Sequence, residues 1–334
     1  QNCGKNEAKK EIEKIQTTED LKIMQNWSLE RKIQVTQTRI LEWYLKYDGQ
    51  VYVAFSGGKD STILLDLARK MYPEIKAVFI DTGLEYPEIR DFVKTKENIT
   101  WQKSEMKFNE VVKEYGWNFP SKDTASAIYY AKRGSVWAVN KFKGQNKDGT
   151  FSEYKQMYKK YAYLLDAPFK ISNKCCEIMK ENPLRKFEKE NKLKPITAIM
   201  ASESKRRKDS WLKTGCNAFD SKFPISKPMS FWTEQDVLTY LKEFNIPYCS
   251  VYGEIVEDKK GKLITTGCER TGCMFCPVGC HLHHPNKFQM MKETHPKMYN
   301  YCINGGEFDE NGMWIPNQVG LGLGKVLDYI NVKY

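Results

Sequence analysis

Six consecutive residues have the composition of a phosphate-binding loop: Ser56-Gly57-Gly58-Lys59-Asp60-Ser61. They follow an apolar run at residues 51–55 and precede a helical pattern over residues 62–71. Adjacent glycines let the backbone approach a phosphate closely, and the first N–H groups of a following helix point toward it. The lysine directly follows two glycines and precedes an Asp-Ser pair, so the loop differs from the GxxxxGK[ST] loop of common NTPases. We therefore predict a nucleotide phosphate site here.

A second set of chemically competent residues consists of cysteines, and six of the ten in the chain fall into two groups: Cys175 and Cys176, then Cys268, Cys273, Cys276 and Cys280. In an intracellular chain, such clustering favours metal or redox chemistry over disulfides. Four thiolates suit a [4Fe–4S] cluster, with a tetrahedral zinc site or unliganded structural cysteines as the alternatives. We expect the nearby histidines to be exposed or packing residues: His281, His283 and His284.

The segments around the loop predict a sheet that would position it. Residues 51–55 and 77–80 are typical of buried strands, and the helical pattern over residues 62–71 lies between them. This βαβ order indicates a parallel sheet and an α/β fold. Residues 195–201 predict another strand. Open α/β sheets bind ligands at the carboxyl ends of their strands, so the loop lies where a ligand is expected.

The chain is predicted to have three parts. Residues 1–47 form a helical N-terminal lead-in, residues 48–265 form the nucleotide-binding α/β domain, and residues 266–334 form a cysteine-rich loop with a helical C-terminal region. Residues 101–174 are rich in lysine and aromatic residues and show few strand signals, which predicts a helical insertion in the second part. Further helices are expected over residues 87–94 and, after the capping-box residues Thr233 to Asp236, up to Phe244.

The overall charge favours phosphate-bearing partners. The chain has 53 Lys+Arg against 42 Asp+Glu, a formal net charge of +11. This excess fits nucleotides and nucleic acid, and it also fits a lysine-rich solvated surface. No apolar run approaches the roughly 20 residues that span a bilayer, so no membrane association is expected. Residues 1–10 resemble neither a secretory signal nor a transit peptide, and we expect a cytoplasmic protein.

The loop, together with Asp81-Thr82-Gly83 after the second predicted strand, resembles the PP-loop ATP pyrophosphatase (adenine nucleotide alpha hydrolase-like) superfamily. Members have a twisted, Rossmann-like parallel sheet flanked by helices, and they cleave ATP between the α and β phosphates to adenylate a substrate. The resemblance implies bound ATP with Mg²⁺, and phosphate contacts from Ser56, Gly57, Gly58, Asp60 and Ser61. It also implies that Lys59 neutralises charge on the leaving pyrophosphate and that Asp81 and Thr82 border the adenosine pocket.

The cysteines resemble those of the phosphoadenosine phosphosulfate reductase family, in which a tandem pair and a distant CxxC hold a [4Fe–4S] cluster. The corresponding residues here are Cys175, Cys176, Cys273 and Cys276. Cys268 and Cys280 flank the CxxC, and they are alternative ligands. A cluster of Cys268, Cys273, Cys276 and Cys280 without the tandem pair is also consistent with the sequence.

Another segment resembles the family's Arg-Ala-x-Glu-Ser-x-x-Arg pattern, which lies beside the bound nucleotide. It is Ala201-Ser202-Glu203-Ser204 with Arg206-Arg207. The resemblance implies nucleotide contacts from Glu203 and Ser204 and a catalytic role, with Lys59 and Asp60, for Arg207. Met200 stands where the pattern has its first arginine, so one phosphate or sulfate contact is not expected.

Two departures from the reductases affect the predicted activity. Reductases attack the substrate sulfur with a cysteine in a Glu-Cys-Gly-Leu-His motif, and no such motif occurs in the printed sequence. Cys302 has the wrong context, and we expect a buried, inert thiol. Reductases that accept phosphoadenosine phosphosulfate usually lack the loop lysine, so Lys59 favours intact ATP. The combination of ATP loop and cluster cysteines resembles most the iron–sulfur sulfurtransferase of DNA phosphorothioation.

The leading hypothesis is therefore an ATP-dependent adenylyl or sulfur-transfer enzyme with a [4Fe–4S] cluster. A nucleic acid is a candidate acceptor, because the basic, aromatic residues 129–163 could stack bases, although a helical lid or a dimer surface explains them as well. A sulfur-donor protein such as a cysteine desulfurase and a homo-oligomeric partner are further expectations. The alternatives are a sulfonucleotide reductase that uses an external thiol and a non-catalytic nucleotide-sensing subunit.

Overall fold

The structure is a computed structural model, and it describes residues 16–334. The chain divides into two compact units. The first comprises the residues up to Phe79, together with residues 87–101 and 187–270, and the second comprises residues 80–86, 102–186 and 271–334. Residues 1–15 of the predicted helical lead-in lie outside the described part. The predicted part boundaries at residues 47 and 265 stay predictions.

The helices of the described residues are α1 (Thr18–Gln25), α2 (Leu29–Lys46), α3 (Lys59–Met71), α4 (Pro87–Lys94), α5 (Phe108–Tyr115), α6 (Lys122–Ala131), α7 (Val136–Phe142), α8 (Lys174–Cys176), α9 (Asn182–Asn191), α10 (Lys205–Thr214), α11 (Glu234–Glu243), α12 (Lys287–Thr294), α13 (Pro296–Ile303) and α14 (Leu323–Tyr329). Helical segments of tighter pitch are Tyr154–Asp166, with 13 residues, and the three-residue turns Ala201–Glu203, Ser250–Tyr252 and Cys280–Leu282. A π-helical turn covers Glu177–Glu181.

The strands are β1 (Val51–Ala54), β2 (Ala77–Asp81), β3 (Ile99–Lys103), β4 (Lys194–Thr197), β5 (Asn217–Ala218), β6 (Ile225–Ser226), β7 (Ile255–Glu257), β8 (Leu263–Thr265), β9 (Glu307–Phe308) and β10 (Trp314–Ile315). The first six form one sheet in the order β3-β2-β1-β4-β6-β5. β1 is parallel to β2 and β4, β4 is parallel to β6, and β5 is an antiparallel edge strand. The predicted α/β fold with a mostly parallel sheet flanked by helices is confirmed.

The central strand β1 is where the sequence signal is clearest. Val51, Tyr52 and Val53 are buried because β1 has neighbours on both sides and helices on both faces. The predicted strands at 51–55 and 77–80 correspond to β1 and β2. The predicted helix at 62–71 begins three residues earlier, at Lys59, so the phosphate loop contributes its own second half to the first turn of α3.

The first unit contains α11, which begins at the predicted capping box. The Thr233 hydroxyl accepts a hydrogen bond from the Asp236 N–H at 3.4 Å, and the Asp236 carboxylate accepts one from the Thr233 N–H at 2.7 Å. These bonds satisfy N–H groups that the start of a helix leaves unpaired. The cap thereby fixes the position of Glu234, the first residue of α11.

The second unit is largely helical between β3 and α9, in agreement with the predicted insertion. It contains α5 to α8 and the segment Tyr154–Asp166, followed after residue 271 by the cysteine-rich loop and α12 to α14. The glycine-rich run at residues 320–324 leads into α14. No helix of residues 16–334 has the length and apolar character needed to cross a membrane.

Candidate functional site

The phosphate loop connects β1 to α3, and its first glycine is required by the local geometry. Gly57 has φ +73°, and a Cβ there would lie 2.8 Å from Val93 Cγ2 and 3.0 Å from Ile89 Cγ2. Both contacts are closer than a packed methyl group tolerates. Helix α4 thus approaches the loop so closely that an L side chain at position 57 would be both strained and overcrowded.

Two serines hold the loop in shape. The Ser61 hydroxyl accepts a hydrogen bond from the Ser56 N–H at 3.2 Å, lies 3.0 Å from the Ser56 hydroxyl and donates to the Gly58 carbonyl at 3.0 Å. Gly58 is the N-cap of α3 and has no side chain to cap that end, while the Lys59 N–H donates to the Tyr252 hydroxyl at 3.4 Å. The N-terminus of this 13-residue helix suits an anion, because its dipole favours negative charge there and an incoming phosphate can replace the weak tyrosine contact.

Lys59 begins α3 with a buried side chain. Its ammonium group forms an ion pair with Glu234 and donates to the Glu269 carbonyl at 3.1 Å. It also lies 4.9 Å from the ring centroid of Tyr252. A buried ammonium needs such partners, because desolvation otherwise favours its neutral form. The side chain is thus held at the helix N-terminus without a bound ligand.

Asp60 follows in the first turn of α3 and is the least satisfied polar group of the loop. Its Oδ1 atom is buried and has no hydrogen-bond partner among the described residues. Burial and the nearby Glu234 carboxylate raise the pKa of Asp60 to about 6, against the opposing effects of Lys59, Arg270 and Arg207. Asp60 therefore has cations nearby, but its Oδ1 atom accepts no hydrogen bond from the described residues.

Glu203 and Ser204, the predicted nucleotide contacts, both interact with arginines. Glu203 forms ion pairs with Arg207 and, at 4.0 Å, with Arg270. Ser204 is the N-cap of α10, and its hydroxyl accepts from the Arg207 N–H at 3.3 Å. Their roles as direct nucleotide contacts stay predictions. Met200, where the family pattern has an arginine, is buried.

Arg270 is a site residue that motif comparison missed. It lies in the Gly- and Cys-rich segment, where attention falls on the thiols, and it follows Glu269, whose carbonyl accepts from Lys59. The available signal was a basic residue between Glu269 and Thr271, within a loop that was already assigned to a functional region. In the first unit the structure thus brings together three cations and three carboxylates: Lys59, Arg207, Arg270, Asp60, Glu203 and Glu234.

Asp81 and Thr82 lie at the carboxyl end of β2, in the second unit. Both residues are buried. The Thr82 N–H and hydroxyl donate to the two carboxylate oxygens of Glu85 at 3.0 and 2.7 Å, and the Asp81 carboxylate accepts from the Gly83 N–H at 3.1 Å. These bonds define a tight turn after β2. The role of the two residues at an adenosine pocket stays a prediction.

Four of the six clustered cysteines line one cavity in the second unit: Cys175, Cys176, Cys273 and Cys276. The wall is otherwise mainly apolar, with Trp117 and Met179 among its residues. Cys280 is buried outside this lining, and burial raises its pKa to about 11. Cys268 belongs to the first unit, where its N–H donates to the Val251 carbonyl at 2.9 Å. The structure therefore assembles the tandem pair with the CxxC.

The tandem cysteines influence each other's pKa and have hydrogen-bond donors and positive charge around them. A hydrogen bond from the Cys175 thiol lowers the pKa of Cys176 and raises its own, and the positive charge of Lys122 lowers the pKa of Cys176 further. The side-chain amide of Asn118 donates to the two sulfur atoms at 3.8 and 3.9 Å. A π-helical turn follows the pair directly, a local distortion often seen at functional sites.

Lys180 extends this arrangement to the CxxC. Burial alone would lower the pKa of Lys180, but Cys273, Glu85 and Cys176 raise it above its ordinary value, so the group is charged. The Lys287 ammonium donates to the Cys273 carbonyl at 3.0 Å. Among residues 16–334, no group of three or more His, Cys, Asp or Glu side chains has the arrangement of a single-ion metal site.

Other candidates lie apart from this chemistry. Cys302 is fully buried in α13, and burial raises its pKa, as expected for an inert thiol. His281, His283 and His284 are exposed, as predicted. The His281 ring packs edge-on against Phe119, with 5.5 Å between centroids.

Comparison with known proteins places the chain in a family. The phosphoadenosine phosphosulfate reductase domain model matches residues 50–279, which include both the phosphate loop and the cavity cysteines. The chain therefore belongs to the phosphoadenosine phosphosulfate reductase domain family. This is a family of enzymes that act on sulfonucleotides.

Individual relatives are distant. An uncharacterized protein of Methanocaldococcus jannaschii is 25% identical over 271 residues, which cover 79% of this chain and 51% of that protein. A second protein of that organism is 26% identical, over 78% of this chain and 42% of its own length. The chain thus spans about half the length of these relatives. Adenosine 5'-phosphosulfate reductase 2 of Bacillus subtilis is 24% identical, over 66% of this chain and 75% of that enzyme.

Among solved structures, the phosphate complex of phosphoadenylyl-sulfate reductase from Candida auris aligns at 15% identity with a TM-score of 0.38. The alignment covers 74% of this chain and 97% of that one.

Proposed function

We propose that this protein is an ATP-dependent adenylyl or sulfur-transfer enzyme of the phosphoadenosine phosphosulfate reductase family. The observation that carries the proposal is the buried Lys59 at the N-terminus of α3, where the N-cap residue Gly58 has no side chain. A cation held there suits the terminal phosphates of ATP, which adenylyl sulfate does not have. Arg207 and Arg270 add positive charge beside the same helix turn.

The chemistry of these residues is positioning and charge neutralisation. The α3 N–H groups bind the phosphates, and an oxygen of the acceptor attacks the α-phosphorus. The bond to the β-phosphate breaks, pyrophosphate leaves with the bonding electrons, and the acceptor proton passes to solvent. Lys59 exchanges its Glu234 carboxylate for a phosphate oxygen and neutralises the charge that develops on pyrophosphate. A persulfide sulfur on a donor protein, such as a cysteine desulfurase, then attacks the activated acceptor, and AMP leaves with the bonding electrons. A thiol cleaves the remaining S–S bond to the donor protein, which releases the sulfur on the acceptor and leaves the thiol and the donor cysteine joined as a disulfide.

Magnesium fits this site. Asp60 supplies a buried carboxylate oxygen with no partner in the described part of the chain, and Mg²⁺ is bound in nucleotide sites through one or two carboxylates and the substrate phosphates. In this proposal Asp60 would hold the ion, and the ion would screen the phosphate charge.

A [4Fe–4S] cluster fits the cysteine cavity by the chemistry of its donors. Four thiols line one largely apolar space, and Lys122, Lys180 and Lys287 provide positive charge that would balance the thiolates. Such a cluster would supply a site for carrying sulfide. Asn118 would donate hydrogen bonds to two of the ligating sulfurs, which tunes a bound metal group. Zinc also accepts four thiolates, but no group of three or more such side chains among residues 16–334 has the arrangement of a single-ion site.

We propose a nucleic acid as the acceptor because of the insertion. Residues 122–174 contain eleven Lys or Arg and four Asp or Glu. Several aromatic rings there are exposed, among them Trp137 at 39%, Phe151 at 72% and Tyr154 at 61%. Exposed rings among cations suit bases and phosphates of a single strand. A lid or a homo-oligomer surface would use the same rings for packing.

The proposal is tested by product analysis. Protein purified anaerobically is incubated with Mg²⁺ and ATP in the presence of single-stranded nucleic acid, and pyrophosphate is measured. We expect release that depends on Lys59 and on the acceptor. Iron and acid-labile sulfide are measured on the same preparation, with Cys276→Ser as the ligand variant and Cys280→Ser as its control. Loss of iron in the first and not in the second supports the proposed ligand set, whereas zinc without iron contradicts the cluster.

A sulfonucleotide reductase that uses an external thiol is the second candidate. It is favoured by the relatives named adenosine 5'-phosphosulfate reductase. Incubation with adenylyl sulfate or phosphoadenosine phosphosulfate and a thiol distinguishes it: sulfite release without ATP would reject the leading proposal and establish the second.

A further inference from the structure

Arg270 belongs to an unusual charge arrangement in the first unit. Its guanidinium group and that of Arg207 both pair with the single carboxylate of Glu203. Glu203 is fixed from the other side, because its carboxylate accepts a hydrogen bond from the Met200 N–H at 3.2 Å. Two guanidinium groups are therefore directed to one anchored carboxylate, and one positive charge is left over.

The two guanidinium groups also repel each other. Burial and the positive charge of Arg270 lower the pKa of Arg207. Holding like charges together costs free energy, and an added anion between them relieves that cost. A planar guanidinium group can form a pair of parallel hydrogen bonds with two phosphate oxygens. A carboxylate has only two oxygens, so it can accept such a pair from only one of the two arginines at a time.

The arginines are more accessible than the lysine of the loop. The side chains of Arg207 and Arg270 are 41% and 60% exposed, and that of Lys59 is 5% exposed. Asp60, whose Oδ1 atom has no partner in the described chain, feels all three cations. A phosphate chain that starts on the α3 N-terminus and extends to solvent would meet the arginines at its outer end. That end carries the pyrophosphate, which must leave.

We propose that Arg270, together with Arg207, binds the β- and γ-phosphates of the nucleotide and makes the site selective for nucleoside triphosphates. The inference rests on the proposed use of ATP. Arg270 is a specificity-determining residue here, because a nucleoside monophosphate or adenylyl sulfate has no terminal phosphate for it to bind. Lys59 remains paired with Glu234 or with a phosphate, whereas Arg270 gains its second partner only from a triphosphate.

The test is calorimetric titration of ATP and of AMP, each with Mg²⁺, into the wild type and three variants. Arg270→Ala should weaken ATP binding by about 10- to 100-fold and leave AMP binding within about threefold. Arg270→Lys should recover part of the ATP affinity, since it keeps the charge but not the planar donors. Lys213→Ala, which removes an exposed cation from the last turn of α10, is the control and should bind both nucleotides as the wild type does.

Retained AMP binding shows that Arg270→Ala is folded. If that variant binds ATP as tightly as the wild type does, or loses ATP and AMP equally, the inference is wrong although ATP use can stand. If the wild type itself binds AMP as tightly as ATP, the terminal phosphates contribute nothing. Both the inference and the proposed function then fail.

Discussion

Replacing Lys59 with methionine separates the role of its charge in catalysis from its role in stability. Methionine keeps an apolar stem of similar length and removes the ammonium group that pairs with Glu234 and donates to the Glu269 carbonyl. Breaking a fully buried ion pair costs about 3–5 kcal/mol. The Glu234 side chain is 35% exposed and can regain water, so we expect a smaller loss of about 1–3 kcal/mol in unfolding free energy.

The catalytic loss should be larger and of different origin. Removing a group that stabilises developing charge in a transition state lowers the rate by about 10²–10³-fold. We therefore expect Lys59→Met to reduce pyrophosphate release by about that factor. The double variant Lys59→Met with Glu234→Gln removes the unpaired carboxylate as well. It should recover most of the lost stability and none of the lost activity.

The chain offers a matched control in the same unit. Lys32 is also buried, pairs with Asp236 at 2.6 Å and donates to the Gln25 carbonyl at 2.7 Å. Lys32→Met should destabilise the protein by about 3–5 kcal/mol, because both partners are largely buried, and should leave pyrophosphate release per folded molecule unchanged. The measurements are denaturant unfolding and pyrophosphate release. Activity that returns together with stability in the double variant would refute the catalytic role of Lys59.

Two further predictions follow from the loop. Gly57→Ala should destabilise the protein by about 1–3 kcal/mol and abolish nucleotide binding, because residue 57 has φ +73° and its new Cβ would crowd Val93. Gly58→Ala should cost less, because residue 58 has φ −75°. Equal losses of unfolding free energy in the two variants, measured by denaturant unfolding, would contradict this. Without Mg²⁺ and nucleotide, raising the pH from about 4 to about 6 should lower the unfolding free energy by up to about 3 kcal/mol. The reason is that the native state holds the Asp60 proton up to a pKa of about 6, whereas the unfolded state releases it near 3.8. Asp60→Asn should flatten the slope of unfolding free energy against pH, and an unchanged slope would assign it to other groups.

The sequence predicted best what depends on local periodicity. β1, β2, α3 and α4 were predictable because buried strands and a glycine pair before a helix leave strong local patterns. β3 was missed, because the alternation of Ile99 and Trp101 with polar neighbours lasts only two periods and none of its five residues is fully buried. This segment forms a strand because it pairs with the edge of the sheet, and that pairing is a tertiary contact that a local pattern does not reveal.

The candidate site shows the same limit. The loop residues are contiguous, so a motif reveals them, and the tandem and CxxC cysteines have distinctive spacing. The partners of Lys59 and Asp60 come from distant positions in the chain, and no motif links them. Glu234 was noted only as a capping-box neighbour, and Arg270 was hidden among cysteines. Long-range ion pairs have no periodic signature, so only the folded unit identifies them.

The charge arrangement explains how a lysine can stay buried in the absence of a ligand. Lys59 pairs with Glu234, Arg207 and Arg270 share Glu203, and all three cations act on Asp60, so each cation has a carboxylate nearby. When the phosphate groups of a nucleotide bind, a phosphate oxygen replaces the Glu234 carboxylate as the partner of Lys59. The more exposed Arg207 and Arg270 then pair with the outer phosphates. Glu234→Gln should therefore tighten ATP binding if exchange at Lys59 limits affinity. Weaker binding in that variant would instead show that Glu234 helps to hold the bound nucleotide.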